Sequence, residues 1–213
     1  MINIVVIRPR HFEEISRLHQ RLLPWSFMAQ FGTSFLKEFY EGLIRSGSGF
    51  GYAALSGNTV VGFIMGVYNR TGLIGKVIKS NFFRVTIAVF MALIRDIRKL
   101  NTILDIVKKE KDMENDRAYS DSESLFIAIN PDIKKGMLFY QLIHALNRHF
   151  LEQGIEVYSG RVLKSNPIIN VFRRMPGFEP IEEVTIYGLK WVLYRYRIKK
   201  GFKELTKLAV KSI

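Results

Sequence analysis

Between residues 121 and 178 the chain reads strand, turn, helix, strand, short helix, and this stretch limits the fold more than any other. Ser124-Leu-Phe-Ile-Ala-Ile129 is a short, β-branched apolar run, the mark of a buried strand, and Asn130-Pro131-Asp132 turns the chain at its end. After Ile133-Lys134-Lys135-Gly136, residues Leu138, Leu142, Leu146 and Phe150 recur at helical spacing as far as Gly154, with Ile143 beside them. Ile155-Glu-Val-Tyr-Ser159 reads as a second strand. Ser165-Asn166-Pro167 then opens another helix, Asn and Pro being favoured at a helix N-cap and first turn, and Met175-Pro176-Gly177-Phe178 stops it.

The front half adds a strand from Ile2 to Pro9, a helix carrying Ile15, Leu18 and Leu22, and a second amphipathic helix over Thr33 to Ile44. Gly51 to Leu55 and Thr59 to Tyr68 flank the turn-forming Ser56-Gly57-Asn58, which predicts a hairpin. The pattern is that of an α/β domain with a mixed sheet. At 213 residues and 48% hydrophobic content, the chain has room for one sizeable core and one insertion.

The stretch from Asn166 also resembles the GNAT superfamily of acetyltransferases, which share an Asn, a small or apolar residue three on, an aromatic stretch and a closing Gly-Phe. Here those are Asn166, Ile169, Phe172, Gly177 and Phe178, and Glu123 to Asn130 followed by Pro131 looks like the family's central strand. The resemblance extends over residues 1 to about 195 and implies a mixed central sheet flanked by helices, in a single acyltransferase domain. Residues 71–114 stand as a basic helical insertion between the third and fourth strands, and 196–213 as a basic amphipathic tail.

The activity implied is N-acetyl transfer from acetyl-CoA, an amine attacking the thioester directly with no covalent enzyme intermediate. The central strand, through Phe126, Ile127, Ala128 and Ile129, would hold the pantetheine arm and polarise the carbonyl. Amides of Lys134, Lys135, Gly136, Met137 and Leu138, at a helix start, would hold the pyrophosphate, although strand, turn and helix with a Lys and a Gly is also a common structural arrangement. Asn166 would reach the pantetheine arm, serve as an ordinary N-cap, or do both, and Phe172 would pack beside it.

Glu123 is the first candidate for general base, as a partly buried carboxylate; the alternative is a solvated residue at a strand's start. His144 lies mid-helix among apolar neighbours, while His11, His19 and His149 lack a neighbouring carboxylate or metal-ligand spacing, and no metal is implied. Two positions depart from the family pattern. Arg173 stands seven residues after Asn166, where many relatives keep a tyrosine that protonates the departing thiolate; Arg173 would stabilise the thiolate, or Tyr140, Tyr158 or water would substitute. The phosphate turn keeps one glycine where the family has two, and Leu138 and Phe139 give the backbone less room to approach a phosphate.

The net charge of +13 is concentrated in two segments. Residues 70–111 and 190–213 carry +7 each, leaving the remainder at about −1. The first reads as a helical cap over the substrate cleft or as a surface for an anionic partner, lipid or phosphate-bearing substrate; within the second, Tyr194 to Ile213 reads as an amphipathic basic helix that docks on the domain, on a second copy in a homodimer, or on a membrane surface. Specific nucleic-acid binding is not expected, since neither segment interleaves exposed aromatics in a known module. The chain has no cysteine, which excludes disulfides, thiolate zinc sites and a Cys nucleophile and suits a reducing cytoplasm. It has no signal-peptide pattern, and its longest apolar run, Val85 to Ile94, is shorter than a bilayer span, so a cytoplasmic protein, soluble or peripheral to the membrane, is expected. No Gly-x-Ser-x-Gly elbow or full dinucleotide fingerprint is present. Two functions follow: an acetyl-CoA-dependent N-acetyltransferase acting on a primary amine, an anionic amino sugar or other small amine among the acceptors, or a catalytically degenerate GNAT-like module that binds CoA, an anionic membrane or a protein partner.

Overall fold

The computed structural model describes residues 2–26, 28–80, 86, 120–133, 135–186 and 188–199. Seven strands and five α-helices order these residues: β1 (Ile2–Val6), α1 (Phe12–Leu22), α2 (Thr33–Arg45), β2 (Gly49–Ser56), β3 (Thr59–Val67), α3 (Leu73–Ser80), β4 (Glu123–Ile129), α4 (Lys135–Glu152), β5 (Val157–Leu163), α5 (Ile168–Arg174), β6 (Phe178–Ile186) and β7 (Leu189–Arg197). The strands form one sheet in the order β1-β2-β3-β4-β5-β7-β6. Only the β4–β5 pair is parallel, because α4 carries the chain back across the sheet between them. The mixed sheet flanked by helices is the architecture that the sequence predicts.

Strand alternation divides the core into two layers. On one face Phe63, Met65, Val67 and Ala128 meet Ile15 and Leu18 of α1, Leu36, Phe39 and Leu43 of α2, and Leu73 and Val77 of α3. On the other, Ile64, Tyr158, Val162, Val192 and Tyr194 meet Leu142, Ile143, Leu146 and Phe150 of α4 and Ile169 and Phe172 of α5. The α4 residues are those whose spacing announced the helix.

Several boundaries differ from the sequence expectation, those of β5 and β7 among them. The second central strand starts at Val157 rather than Ile155, because the Ile155 N–H closes the end of α4 on the Phe150 carbonyl at 2.8 Å. It also runs on to Leu163, paired with β7 throughout. Residues Tyr194–Arg197, expected to open a basic helix, are the end of β7: Tyr194 and Tyr196 are buried while Arg197 is exposed, a period of two rather than 3.6. Of the basic helical insertion expected over 71–114, α3 lies among the described residues, whereas most of the rest, like most of the basic tail, lies outside them. Among those described, no helix is long and apolar enough to cross a membrane.

Candidate active site

The two central strands join at one end only. Glu123 pairs with Ser159 and Ser124 with Gly160, and there the β4–β5 ladder stops, although both strands run on to Ile129 and Leu163. The five residues Leu125 to Ile129 therefore have no ladder partner on the β5 side, a length of about 16 Å at strand rise. An extended ligand that presents its own polar groups can occupy such an opening in place of a strand.

The other edge of β4 fixes which groups face the opening. The Asn130 N–H donates to the Val61 carbonyl of β3 at 2.8 Å, so by antiparallel alternation Ala128 and Phe126 also direct their amides at β3. Ile127 and Ile129 thus turn their N–H groups toward β5. The register slips between Met65 and Gly66, placing Leu125 as an extra residue on β4 immediately after the last β4–β5 pair. That bulge turns both Leu125 and Phe126 to the α1–α2 layer.

At the open end of β4 the chain passes through Pro131 to Ile133 into α4, whose first turn holds Lys135, Gly136, Met137 and Leu138. Met137 is exposed and Leu138 is buried in the core, so at Leu138 only the backbone amide is available to a ligand. Lys134 lies outside the described residues, and for Lys135 and Gly136 the backbone alone is described. On the β5 side, Asn166 uses its Oδ1 to accept the Ile168 N–H at 3.1 Å, which caps the first turn of α5 and leaves its NH2 as the end able to reach a ligand. Phe172 is buried, edge-on to Phe139 at 5.3 Å and against Tyr194 at 5.1 Å. Gly177 follows with φ 94°, and a Cβ there would come within 2.3 Å of the Arg197 carbonyl oxygen, which is why the turn into β6 takes glycine.

Arg173 does not join this group. It is exposed, its charge acts on Glu183 of β6, and among the described residues none of its interactions reaches β4 or β5. The reason is helical phase: Phe172 faces the core, so the next residue, 100° around, faces outward.

Glu123 is 2% exposed, not the solvated strand-start residue that the sequence left open. It lies in the row of Val67 and Ser159, on the α1–α2 face, and its Oε1 accepts from Arg161 Nε at 3.2 Å. Sequence reasoning did not single out Arg161. Its signal was a charge within an apolar strand, which a buried carboxylate on the neighbouring strand answers. The same face holds a second buried polar group. His19 of α1 bonds the Tyr40 hydroxyl through Nδ1 and Ser26 Oγ through Nε2 at 2.6 Å, and stands edge-on to Phe126 at 4.7 Å. Burial holds this imidazole down to about 3, so it is neutral at physiological pH.

The remaining histidines serve other contacts. His149 stacks on Phe50 at 3.7 Å and is bonded by Tyr52 and Tyr68 at its two ring nitrogens, 3.0 and 2.7 Å away. His144 is half-buried on α4, with its pKa lowered by burial and then by Arg148. His11 is buried and accepts the Arg8 N–H. Tyr158 is buried between Phe150 and Tyr196, and Tyr140 packs on the α4 side of the core.

Solved structures with the same layout include acetyltransferases. The PaiA N-acetyltransferase from Thermoplasma acidophilum, in complex with coenzyme A, is 12% identical and superposes with a TM-score of 0.54 over 92% of this chain and 99% of its own. The chain has the GNAT acetyltransferase fold. A GNAT-family protein from Desulfovibrio desulfuricans matches at 11% identity and a TM-score of 0.53, over 93% of this chain and 99% of that one. The ribosomal-protein-S18-alanine N-acetyltransferase from Escherichia coli matches at 13% and 0.55, over 93% and 94%. No family model and no curated protein matches the sequence.

Proposed function

We propose that the chain is an acetyl-CoA-dependent N-acetyltransferase that passes the acetyl group directly to a primary amine. The observation that carries this reading is the opening between β4 and β5, unpaired over Leu125 to Ile129, with the N-terminal turn of an 18-residue helix next along the chain from its wide end. Amides of Lys134 to Leu138 and the two lysines suit the pyrophosphate, because a helix start offers unpaired N–H groups and the positive end of its dipole. The amides of Ile127 and Ile129 suit the pantetheine arm, and Asn166 adds a donor from the opposite bank. The acetyl group then lies toward Ser124 and Gly160, next to the layer formed by α1 and α2, from which the amine would approach. Glu123 is the proposed base, with Arg161 holding its carboxylate in place. The basic segments favour an anionic acceptor such as an amino sugar bearing phosphate, or another small amine.

Calorimetry with acetyl-CoA tests the core of this reading, with the Lys134→Ala/Lys135→Ala variant as control. Saturable binding that weakens in the variant supports it, and no saturable binding at millimolar ligand sinks it. A second reading, a non-catalytic CoA-binding or membrane-binding module, draws support from Arg173, which faces outward where a thiolate-directed group was expected. Sedimentation with anionic liposomes in the absence of any CoA affinity would favour that module.

A further inference from the structure

Tyr194 lies where the two central strands part. It pairs with Gly160 across β5, and Gly160 with Ser124 is the last β4–β5 pair. Its ring lies across the glycine: a Cβ built on Gly160 would meet Tyr194 Oη at 2.3 Å and Cζ at 2.4 Å. The missing side chain thus lets a phenol from β7 pass over β5 toward the side chain of Ser124 on β4. Phe172 and Phe178, each 5.1 Å away, hold the ring from the other side.

An arm that enters at α4 and runs along the five unpaired residues of β4 ends at this point, about 16 Å in. The atom delivered there from an acyl-CoA is the thioester sulfur or its neighbour. We propose that Tyr194 donates a hydrogen bond to the departing sulfur of the acyl donor, a role that rests on the acyl-CoA reading above. As the amine nitrogen bonds to the acetyl carbon, the C–S bond breaks and its electron pair goes to sulfur; the amine proton goes to the base, and the thiolate leaves hydrogen-bonded to the phenol before solvent protonates it. The phenol keeps its own proton throughout. Burial, and then the charge of Glu123, raise its pKa, so it is a donor at any pH where an amine reacts. Ser124, close enough to offset part of that rise, favours charge on the phenol oxygen. Where the bound donor displaces water, a hydrogen-bond donor aimed at developing charge counts more than it would in solution.

The test uses the full chain and CoA, labelled with ¹³C at the carbon bearing sulfur, so that the shift of this carbon reports thiol ionisation in the bound state. A hydrogen bond to a charged group is worth about 1.5–3 kcal/mol, so the bound thiol should ionise at a pH about one to two units lower in the wild type than in Tyr194→Phe, while CoA affinity at neutral pH is the same in both. Ser124→Ala, which leaves the ring in place, should move the midpoint the same way by less, and decides the matter if the Phe variant does not fold. Equal midpoints in wild type and variants with CoA bound overturn this role alone. Failure of the wild type to bind CoA overturns the acyl-CoA reading and this role with it.

Discussion

Replacing Gly160 with alanine adds one methyl group where the site has no space for it. The new Cβ would lie 2.3, 2.4 and 2.9 Å from Oη, Cζ and Cε1 of Tyr194, whereas carbon atoms in contact sit about 3.5–4.0 Å apart, so the ring must retreat by about 1 Å or more. Phe172 and Phe178 block that retreat. Gly160 has no positive φ, so without the ring the substitution would be neutral or would stabilise by about 0.4–1 kcal/mol through the unfolded chain. With the ring in place, overpacking costs about 1–3 kcal/mol, and the sign reverses. In a domain of this size each kcal/mol moves Tm by about 2–4 °C, so calorimetry should show a fall of roughly 2–12 °C. In a Tyr194→Leu background the same change should cost nothing, giving a coupling of about 1 kcal/mol or more in the double-mutant cycle. A Gly160→Ala protein at least as stable as the wild type, or strictly additive variants, would refute the packing argument.

His19 makes stability depend on pH. Its folded pKa of about 3 lies below the ordinary 6.5, so the unfolded chain binds the proton first: the contribution is complete above about pH 6.5 and is lost as pH falls toward 3. Urea titrations should show the wild type losing about 2 kcal/mol more than His19→Gln between pH 6.5 and 5, and parallel losses would contradict the burial. Arg161→Met strands the buried Glu123 carboxylate and should cost about 3 kcal/mol in urea unfolding, largely restored by adding Glu123→Gln; a single variant as stable as the wild type would show that the pair carries no weight.

The helices and the mixed sheet were legible because periodicity survives without knowledge of partners. Leu138, Leu142, Leu146 and Phe150 mark one face of α4 whatever they pack against, and Ser56-Gly57-Asn58 marks the β2–β3 turn by its own conformational preferences. The site was legible only along the chain. Asn166 announced its helix, yet that Arg173 faces away follows from the phase of a helix whose start could be placed only to within a residue or two. Arg161, Tyr194 and His19 meet the candidate site through contacts across strands and layers, which no local pattern encodes. One sign was available: Gly160 inside an apolar strand, a position that marks close approach by another group. The β7 tyrosines were misread because Leu193-Tyr-Arg-Tyr-Arg197 runs into a basic segment, and basic and apolar residues in alternation fit either period over so short a span.

Amide exchange along β4, followed with and without CoA, tests the central claim most directly. Ile127 and Ile129 turn their N–H groups toward β5 without a ladder partner, so they should exchange faster than Ala128 in the free protein. Saturating CoA should slow both by about tenfold or more, the worth of one hydrogen bond, and leave Ala128 nearly unchanged. Unaltered exchange at Ile127 and Ile129 in millimolar CoA would contradict the assignment of this opening as an acyl-CoA site.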